Sequence, residues 1–156
     1  MRGRSVRTLR ESREDEEEEA NAALRIDCRL PGGRFCAKCC YETHMPLTQE
    51  DIRRITSLGY RLEDFAERGP DGVWYLRNID GHCVFLDPKT GRCRIYQWRP
   101  LGCRLYPLVY DVESGEVTVD PECPKATSVN RDVVKRLAPK LIKLIKRIYG
   151  ELPRSA

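Results

Sequence analysis

The sequence contains no apolar run approaching the roughly 18 residues that a membrane-spanning helix needs, so it carries no transmembrane segment. Its first residues, Arg2, Arg4, Arg7, Arg10 and Arg13 followed by acid, offer no apolar stretch that could serve as a secretory signal. A soluble, cytoplasmic chain is the expectation. Charge of one sign is in short supply, because 28 Lys+Arg against 24 Asp+Glu leave only +4, too little to argue for nucleic acid or a membrane surface. There are only two histidines, and no glycine-rich nucleotide fingerprint follows a strand-like run. No internal repeat is evident, and the equal gaps from Cys83 to Cys93 and from Cys93 to Cys103 are given no weight.

What is abundant is cysteine: eight in 156 residues, at 28, 36, 39, 40, 83, 93, 103 and 123. With 40% hydrophobic residues the chain can build one modest core but not two independent domains. The charge is unevenly spread. Residues 1–27 carry −2, residues 28–130 balance to zero, and residues 131–150 carry +6.

Residues 1–27, with the acidic block Glu14 to Glu19, have the composition of a solvated, disordered tail, because they cannot bury enough surface to offset the entropy of ordering. Pro31, Gly32 and Gly33 make Cys28 to Cys40 a loop. Thr48 with Asp51 three residues on has the capping-box arrangement, and Ile52, Ile55 and Leu58 supply an apolar stripe that ends at Gly59. Leu62 to Arg68 reads as a second short helix ending at Gly69. From Val73 to Asp120 the pattern changes to short β-type runs, Val73–Leu76, Cys83–Leu86, Arg92–Tyr96, Leu108–Val112 and Glu116–Val119, separated by turns. Arg99-Pro100 starts a short helix that carries Cys103 and stops at Pro107.

The last element reads as a helix from Asn130 to Gly150, kinked or divided at Pro139. On a helical wheel Leu141, Ile142, Leu144, Ile145, Ile148 and Tyr149 share an arc of roughly 160°, opposite Lys140, Lys143, Lys146 and Arg147. Such a helix either docks on its own core with a lysine-rich face in water or uses that face to meet a protein partner. The expected fold is α+β: residues 1–27 a tail, 28–128 a small metal-stabilised cysteine-rich domain of short strands and helices, and 129–150 a basic amphipathic C-terminal helix.

Eight thiols in a reducing compartment call for metal or cluster ligation, disulfides, or burial as small hydrophobes. Burial does not explain three thiols crowded into five positions of a glycine-rich loop, and the missing export signal weighs against disulfides. Ligation accounts for both. In Cys36-x2-Cys39 two intervening residues let a tight turn aim both sulfurs at one metal. Cys40 directly after Cys39 either converges with it through a sharp turn or serves a different centre. Further ligands come from Cys83, Cys93, Cys103 and Cys123. A nearly all-thiolate set suits zinc and also suits an iron–sulfur cluster of the 4Fe–4S type, which we favour slightly; Phe35, Tyr41, Phe85, Tyr96, Trp98 and Tyr106 would shield a cluster from solvent and equally fit a core. His44 and His82 do not form the histidine pair of a zinc finger and read as surface or turn residues.

The segment Cys93-Arg-Ile-Tyr96, Arg99-Pro100, Cys103-Arg104-Leu-Tyr106-Pro107 closely resembles the YkgJ-like cysteine-cluster family of zinc- or iron-chelating domains, of CxxCxxCC type. The resemblance extends through Gly81, Cys83, Phe85 and Leu86 and to Cys39-Cys40 before Leu47-Thr48. It departs at the first motif, where Gly33 stands three before Cys36; Cys28 would substitute by folding back through Pro31-Gly32-Gly33. The resemblance implies a metal-chelating module that acts in redox, accessory or metal-handling roles. It also keeps open an enzyme acting on protein lysine, since flagellin lysine methylases carry this cluster, and a structural-zinc module that binds partners. Arg99 and Arg104 flank Cys103, and with Tyr96 and Tyr106 they are candidates to surround the centre, the cations offsetting thiolate charge or forming an ordinary structural salt bridge.

Overall fold

The computed structural model describes residues 27–154; the acidic tail expected over residues 1–27 lies outside them except for Asp27. The fold is α+β, with short antiparallel strands and four α-helices among the described residues. No helix there is long and apolar enough to cross a membrane.

Helix α1 (Gln49–Thr56) starts where the capping box places it: Asp51 N–H donates to the Thr48 hydroxyl at 3.0 Å, and Thr48 N–H donates to the Asp51 carboxylate at 2.9 Å. Gly59 ends the segment at φ +101°, and Ile55 is fully buried. The second helix is shorter than its apolar spacing implies. α2 is only Leu62–Phe65, and Ala66–Arg68 leaves it as strand β2, pairing antiparallel with β3 (Trp74–Leu76), which also pairs with β1 (Pro46–Leu47). Tertiary pairing overrides helical propensity here, because Phe65 and Ala66 both face the core and the chain must return at once beside β3.

Three hairpins follow: β4 (Asn78–Ile79) with β5 (His82–Cys83), β6 (Leu86–Asp87) with β7 (Arg92–Cys93), and β8 (Leu108–Asp111) with β9 (Glu116–Val119). The runs expected over Cys83–Leu86 and Arg92–Tyr96 are therefore interrupted by turns at 84–85 and 94–95. Helix α3 (Leu101–Leu105) carries Cys103, with Pro100 at its N-cap.

Helix α4 (Arg131–Tyr149) is continuous through Pro139, so the chain is not divided there. The hydrogen bond that proline removes belongs to the Lys135 carbonyl, and both residues lie on the exposed face, where water can satisfy that group. Asn130 caps the start by accepting from Val133 N–H at 2.9 Å, and Gly150 ends the helix in the left-handed region.

The apolar residues form two cores. One gathers Leu47, Ile55, Phe65, Leu76, Phe85, Leu86 and Ile95 beneath the three-stranded sheet. The other packs Leu137, Leu141 and Leu144 of α4 on Leu101 and Leu105 of α3 and on Leu108. The apolar face of α4 is thus covered by the chain itself. Polar ties join the halves: Arg147 pairs with Glu50 at 2.6 Å, and the Tyr75 and Tyr149 hydroxyls meet at 3.1 Å.

The cysteine loop is seated on the second hairpin. Phe35 N–H donates to the Thr90 carbonyl at 3.0 Å, and the Arg92 guanidinium lies 4.6 Å from the centre of the Phe35 ring. Gly91 makes the approach possible, since a Cβ there would stand 2.1 Å from the Phe35 carbonyl oxygen at a backbone φ of +76°. Gly91→Ala is expected to cost about 2–4 kcal/mol from left-handed strain and backbone overlap together. Denaturant unfolding measures the cost; a loss below about 1 kcal/mol would mean that the loop is not held there.

Candidate metal centre

Two of the thiols sit in a duplicated local structure. Gly81-His82-Cys83-Val84-Phe85 and Gly91-Arg92-Cys93-Arg94-Ile95 are offset by the equal spacing noted in the sequence, and the two segments share a left-handed glycine, a cysteine at the end of a two-residue strand, a turn and a buried apolar residue. In the first, the Phe85 and Leu86 backbone N–H groups donate to the Cys83 sulfur; in the second, the Ile95 N–H donates to Cys93. These turns aim N–H dipoles at sulfur, the arrangement that stabilises a metal-bound thiolate. The spacing given no weight in the sequence therefore marks a repeat of the turn, and the shared Gly-x-Cys pattern was its legible sign. It does not extend to Cys103, which rides α3.

The N-terminal loop brings two more thiols together. Cys36 N–H donates to the Cys28 carbonyl at 2.6 Å, and Arg29 bridges Phe35 antiparallel, with Gly32 and Gly33 at positive φ in the reversal. The chain thus folds back to set Cys28 beside Cys36. Cys39 and Cys40 lie on a 3-10 turn (Lys38–Cys40), with their side chains hydrogen-bonded to each other. Cys123 closes a turn by donating its N–H to the Asp120 carbonyl at 3.1 Å. All eight cysteines are free thiols.

Electrostatic neighbours show which thiols share space. Cys28 feels Cys36, Cys39 and Cys123; Cys40 feels Cys39, Cys83 and Cys103; Cys103 feels Cys83, Cys93 and Cys39. Among the described residues no three Cys, His, Asp or Glu side chains stand close enough to hold a single ion, so the thiols form a gathering of neighbours rather than a closed shell.

The Cys39 thiol is lowered to about 7, first by its hydrogen bond with Cys40 and also by the Arg99 charge. The same contact, followed by burial, drives Cys40 upward. Burial is the leading cause that raises Cys28, Cys93 and Cys103, and it brings Cys83 to about 11. A thiol raised in the folded state favours folding while it stays protonated, so this stability is complete below the unfolded thiol value of about 8.5 and is lost as pH climbs through the folded values. The metal-free protein should therefore melt at a lower temperature at pH 10.5 than at pH 7.5; an equal or higher midpoint at pH 10.5 would contradict this.

Of the four flanking residues, Arg99 has the most thiols as electrostatic neighbours. It lowers Cys28, Cys39 and Cys93, and its guanidinium stacks 3.9 Å from the centre of the exposed Tyr96 ring. Its Nε is buried without a hydrogen-bond partner. Tyr106 is an electrostatic neighbour of Cys39 and Cys123 and donates its hydroxyl to Asp120 at 2.7 Å. Arg104, almost fully buried, donates to the carbonyls of Arg99 and Gln97 at 3.1 and 3.0 Å and so braces the backbone before α3. His44 stacks on Tyr75, with ring centres 4.2 Å apart, and His82 Nδ1 meets the Cys83 carbonyl at 2.9 Å.

One residue that the motif reading took only for a helix cap does more. Asp51 is fully buried, and besides Thr48 it accepts from Leu101 N–H at 3.0 Å and from the Arg54 guanidinium at 2.6 Å. It thereby ties α1 to the start of the helix that carries Cys103, an electrostatic neighbour. Sequence shows an acid at the third helical position but not the second helix that it reaches.

A small α+β domain that places seven thiols on hairpins, turns and loops and the eighth on a short helix is a cysteine-cluster domain. Residues 27–127 match the family described as "Putative zinc- or iron-chelating domain", and the chain belongs to that family. It is similar to an uncharacterized protein of Methanocaldococcus jannaschii, with 35% identity over 108 residues that cover 64% of this chain and 58% of the relative. The chain thus spans little more than half the length of that relative. No solved structure matches.

Proposed function

We propose that the chain holds a thiolate-ligated metal centre, with Cys28, Cys36, Cys39, Cys40, Cys83, Cys93, Cys103 and Cys123 as the ligand set, and serves as a redox, accessory or metal-handling module. The observation that carries this is the pair of cysteine turns in which backbone N–H groups are already aimed at the Cys83 and Cys93 sulfurs. The donor chemistry fits a zinc ion or an iron–sulfur cluster of the 4Fe–4S type, and we favour the cluster because the donors are sulfur throughout. When bound, a cluster supplies one-electron chemistry and zinc supplies a structural crosslink. Arg99 offsets thiolate charge, Tyr96 holds the Arg99 side chain, Tyr106 is an electrostatic neighbour of Cys39 and Cys123, and Arg104 braces the backbone before α3.

The same turns also serve tetrahedral zinc, which keeps a structural-zinc module as the second reading. Anaerobic purification followed by metal analysis and a visible spectrum decides between them: a brown protein bleached by oxygen supports the cluster, a colourless one with stoichiometric zinc supports the second reading, and a protein holding neither refutes both. Free thiols of this number fit a reducing compartment such as the cytoplasm. With the apolar face of α4 covered, an acidic protein partner would meet the face bearing Lys135, Arg136, Lys143 and Lys146, all exposed.

A further inference from the structure

We infer that the exposed basic face of α4 is a docking surface for an acidic segment of this same chain, residues 14–19, which pairs with Lys135, Arg136, Lys143 and Lys146. The inference is independent of the metal reading. It rests on the reading of this face as one that takes acidic protein, and it supplies an occupant that any acidic partner must displace.

The other side of the helix fixes the face. Leu137, Leu141 and Leu144 are held in the second core, so Arg131, Lys135, Arg136, Lys143, Lys146 and Arg147 stand exposed on one arc of roughly 160°. Asp132 is the single acid in residues 131–150. Arg147 pairs with Glu50, but among the described residues Lys135, Arg136, Lys143 and Lys146 make no ion pair. Lys143, Lys146 and Arg147 stand three and four residues apart, where like charges repel. An anionic segment along the stripe relieves that repulsion.

Charge, length and reach select the occupant. Residues 14–19 are Glu14, Asp15, Glu16, Glu17, Glu18 and Glu19, the longest acidic run in the sequence. Six extended residues span about 20 Å, and the cations from Lys135 to Lys146 run about 16 Å along the helix axis. The acidic run ends eight residues before Asp27, where the described chain begins. Eight residues reach about 26 Å, against a radius of gyration of about 14 Å for a domain of this size. Asp27 is also an electrostatic neighbour of Lys125, five residues before the Asn130 cap of α4. Surface ion pairs are individually weak, but a short tether holds the segment at an effective concentration of about millimolar. An anionic membrane is the poorer occupant, because the apolar residues that such a helix would insert are already covered.

The test uses the full chain at low ionic strength. A water-soluble carbodiimide couples carboxylates to amines in direct contact, and the coupled peptides are located by mass. Residues 14–19 should couple to Lys135, Lys143 and Lys146 about fivefold or more over Lys38 and Lys89, which are also exposed, and the preference should fade in about 0.5 M salt. Even coupling across these lysines overturns the docking and leaves the acidic-partner reading standing. Coupling found mainly between isotope-labelled and unlabelled chains overturns it too, since the occupant is then a second copy. A fluorescent hexaglutamate peptide is the second probe. It should bind the variant Glu16→Gln, Glu17→Gln, Glu18→Gln, Glu19→Gln about threefold or more tightly than the native chain, because the face is then open. Equal binding to both overturns the docking, and a peptide that binds neither overturns the acidic-partner reading with it. Phosphatidylserine vesicles that bind the native chain as tightly as the variant give the face to a membrane and overturn the docking as well.

Discussion

Removing the metal should lower the melting midpoint of the native protein by roughly 20 °C or more, and the loss should concentrate in the cysteine-bearing half. Metal binding to a thiol site is folding free energy, with apparent values of about 10–16 kcal/mol for structural zinc. Whole-domain stabilities are about 5–15 kcal/mol, so one centre matches the stability of an entire domain. Around 2–4 °C of midpoint accompanies each kcal/mol at this size.

The loss should be uneven because the second core contains no thiol. Leu137, Leu141 and Leu144 pack on α3 and β8 through aliphatic contacts alone, while the loop from Cys28 to Cys36 is held mainly by a few backbone bonds and the contact of Phe35 with the 87–91 turn. Far-UV circular dichroism after chelation should retain much of the helical signal of α4, and amide signals of residues 28–45 should collapse to unfolded positions. An unchanged melting curve in a protein verified as metal-free would show that the thiols are not the tie.

Replacing Asp51 by alanine should cost about 3–5 kcal/mol, the range for removing one partner of a buried ion pair. Three groups lose their acceptor at once: Thr48 N–H at the start of α1, Leu101 N–H at the start of α3, and the Arg54 guanidinium, which also donates to the Arg99 carbonyl at 3.3 Å. Burial pushes the Asp51 carboxyl above its ordinary value despite these bonds, which shows that desolvation is the cost the three donors offset. Asp51→Asn keeps one oxygen acceptor and should lose less than the alanine variant. Urea unfolding of the two variants gives the comparison. Because Asp51 positions the N-terminus of the helix that carries Cys103, the alanine variant should also retain less metal under a chelator challenge. A loss below about 1 kcal/mol would remove Asp51 from its role as the joint between α1 and α3.

Some of this was legible before any fold was known, and the legible parts share a cause. The Thr48–Asp51 capping box, the Asn130 cap and the left-handed Gly150 are local: each is decided by side chains and backbone within a few residues, and each formed as the sequence indicates. Even there the local signal was incomplete, since Asp51 reaches Leu101, fifty positions away. Where an element depended on a distant partner, the reading failed. Leu62 to Arg68 has helical spacing, yet Ala66–Arg68 became a strand because β3 was available to pair with it. The spacing of Cys83 and Cys93 looked accidental until the two glycines, the two turns and the two buried residues Phe85 and Ile95 were seen in matching conformations.

The residues alone settled which chemistry is present: eight thiols, few histidines and a balanced charge around them, with the basic surplus held in the final helix. They also settled that the Cys28–Cys40 segment must be a loop, because glycine and proline leave it no other regular form. Only the tertiary structure decided which thiols become neighbours, which of them pack into the core, and that α4 spends its apolar face on its own chain. The reason is physical. Residue type fixes the donor atoms, whereas burial and proximity are created when hairpins, α3 and the loop that Gly91 admits close on one another.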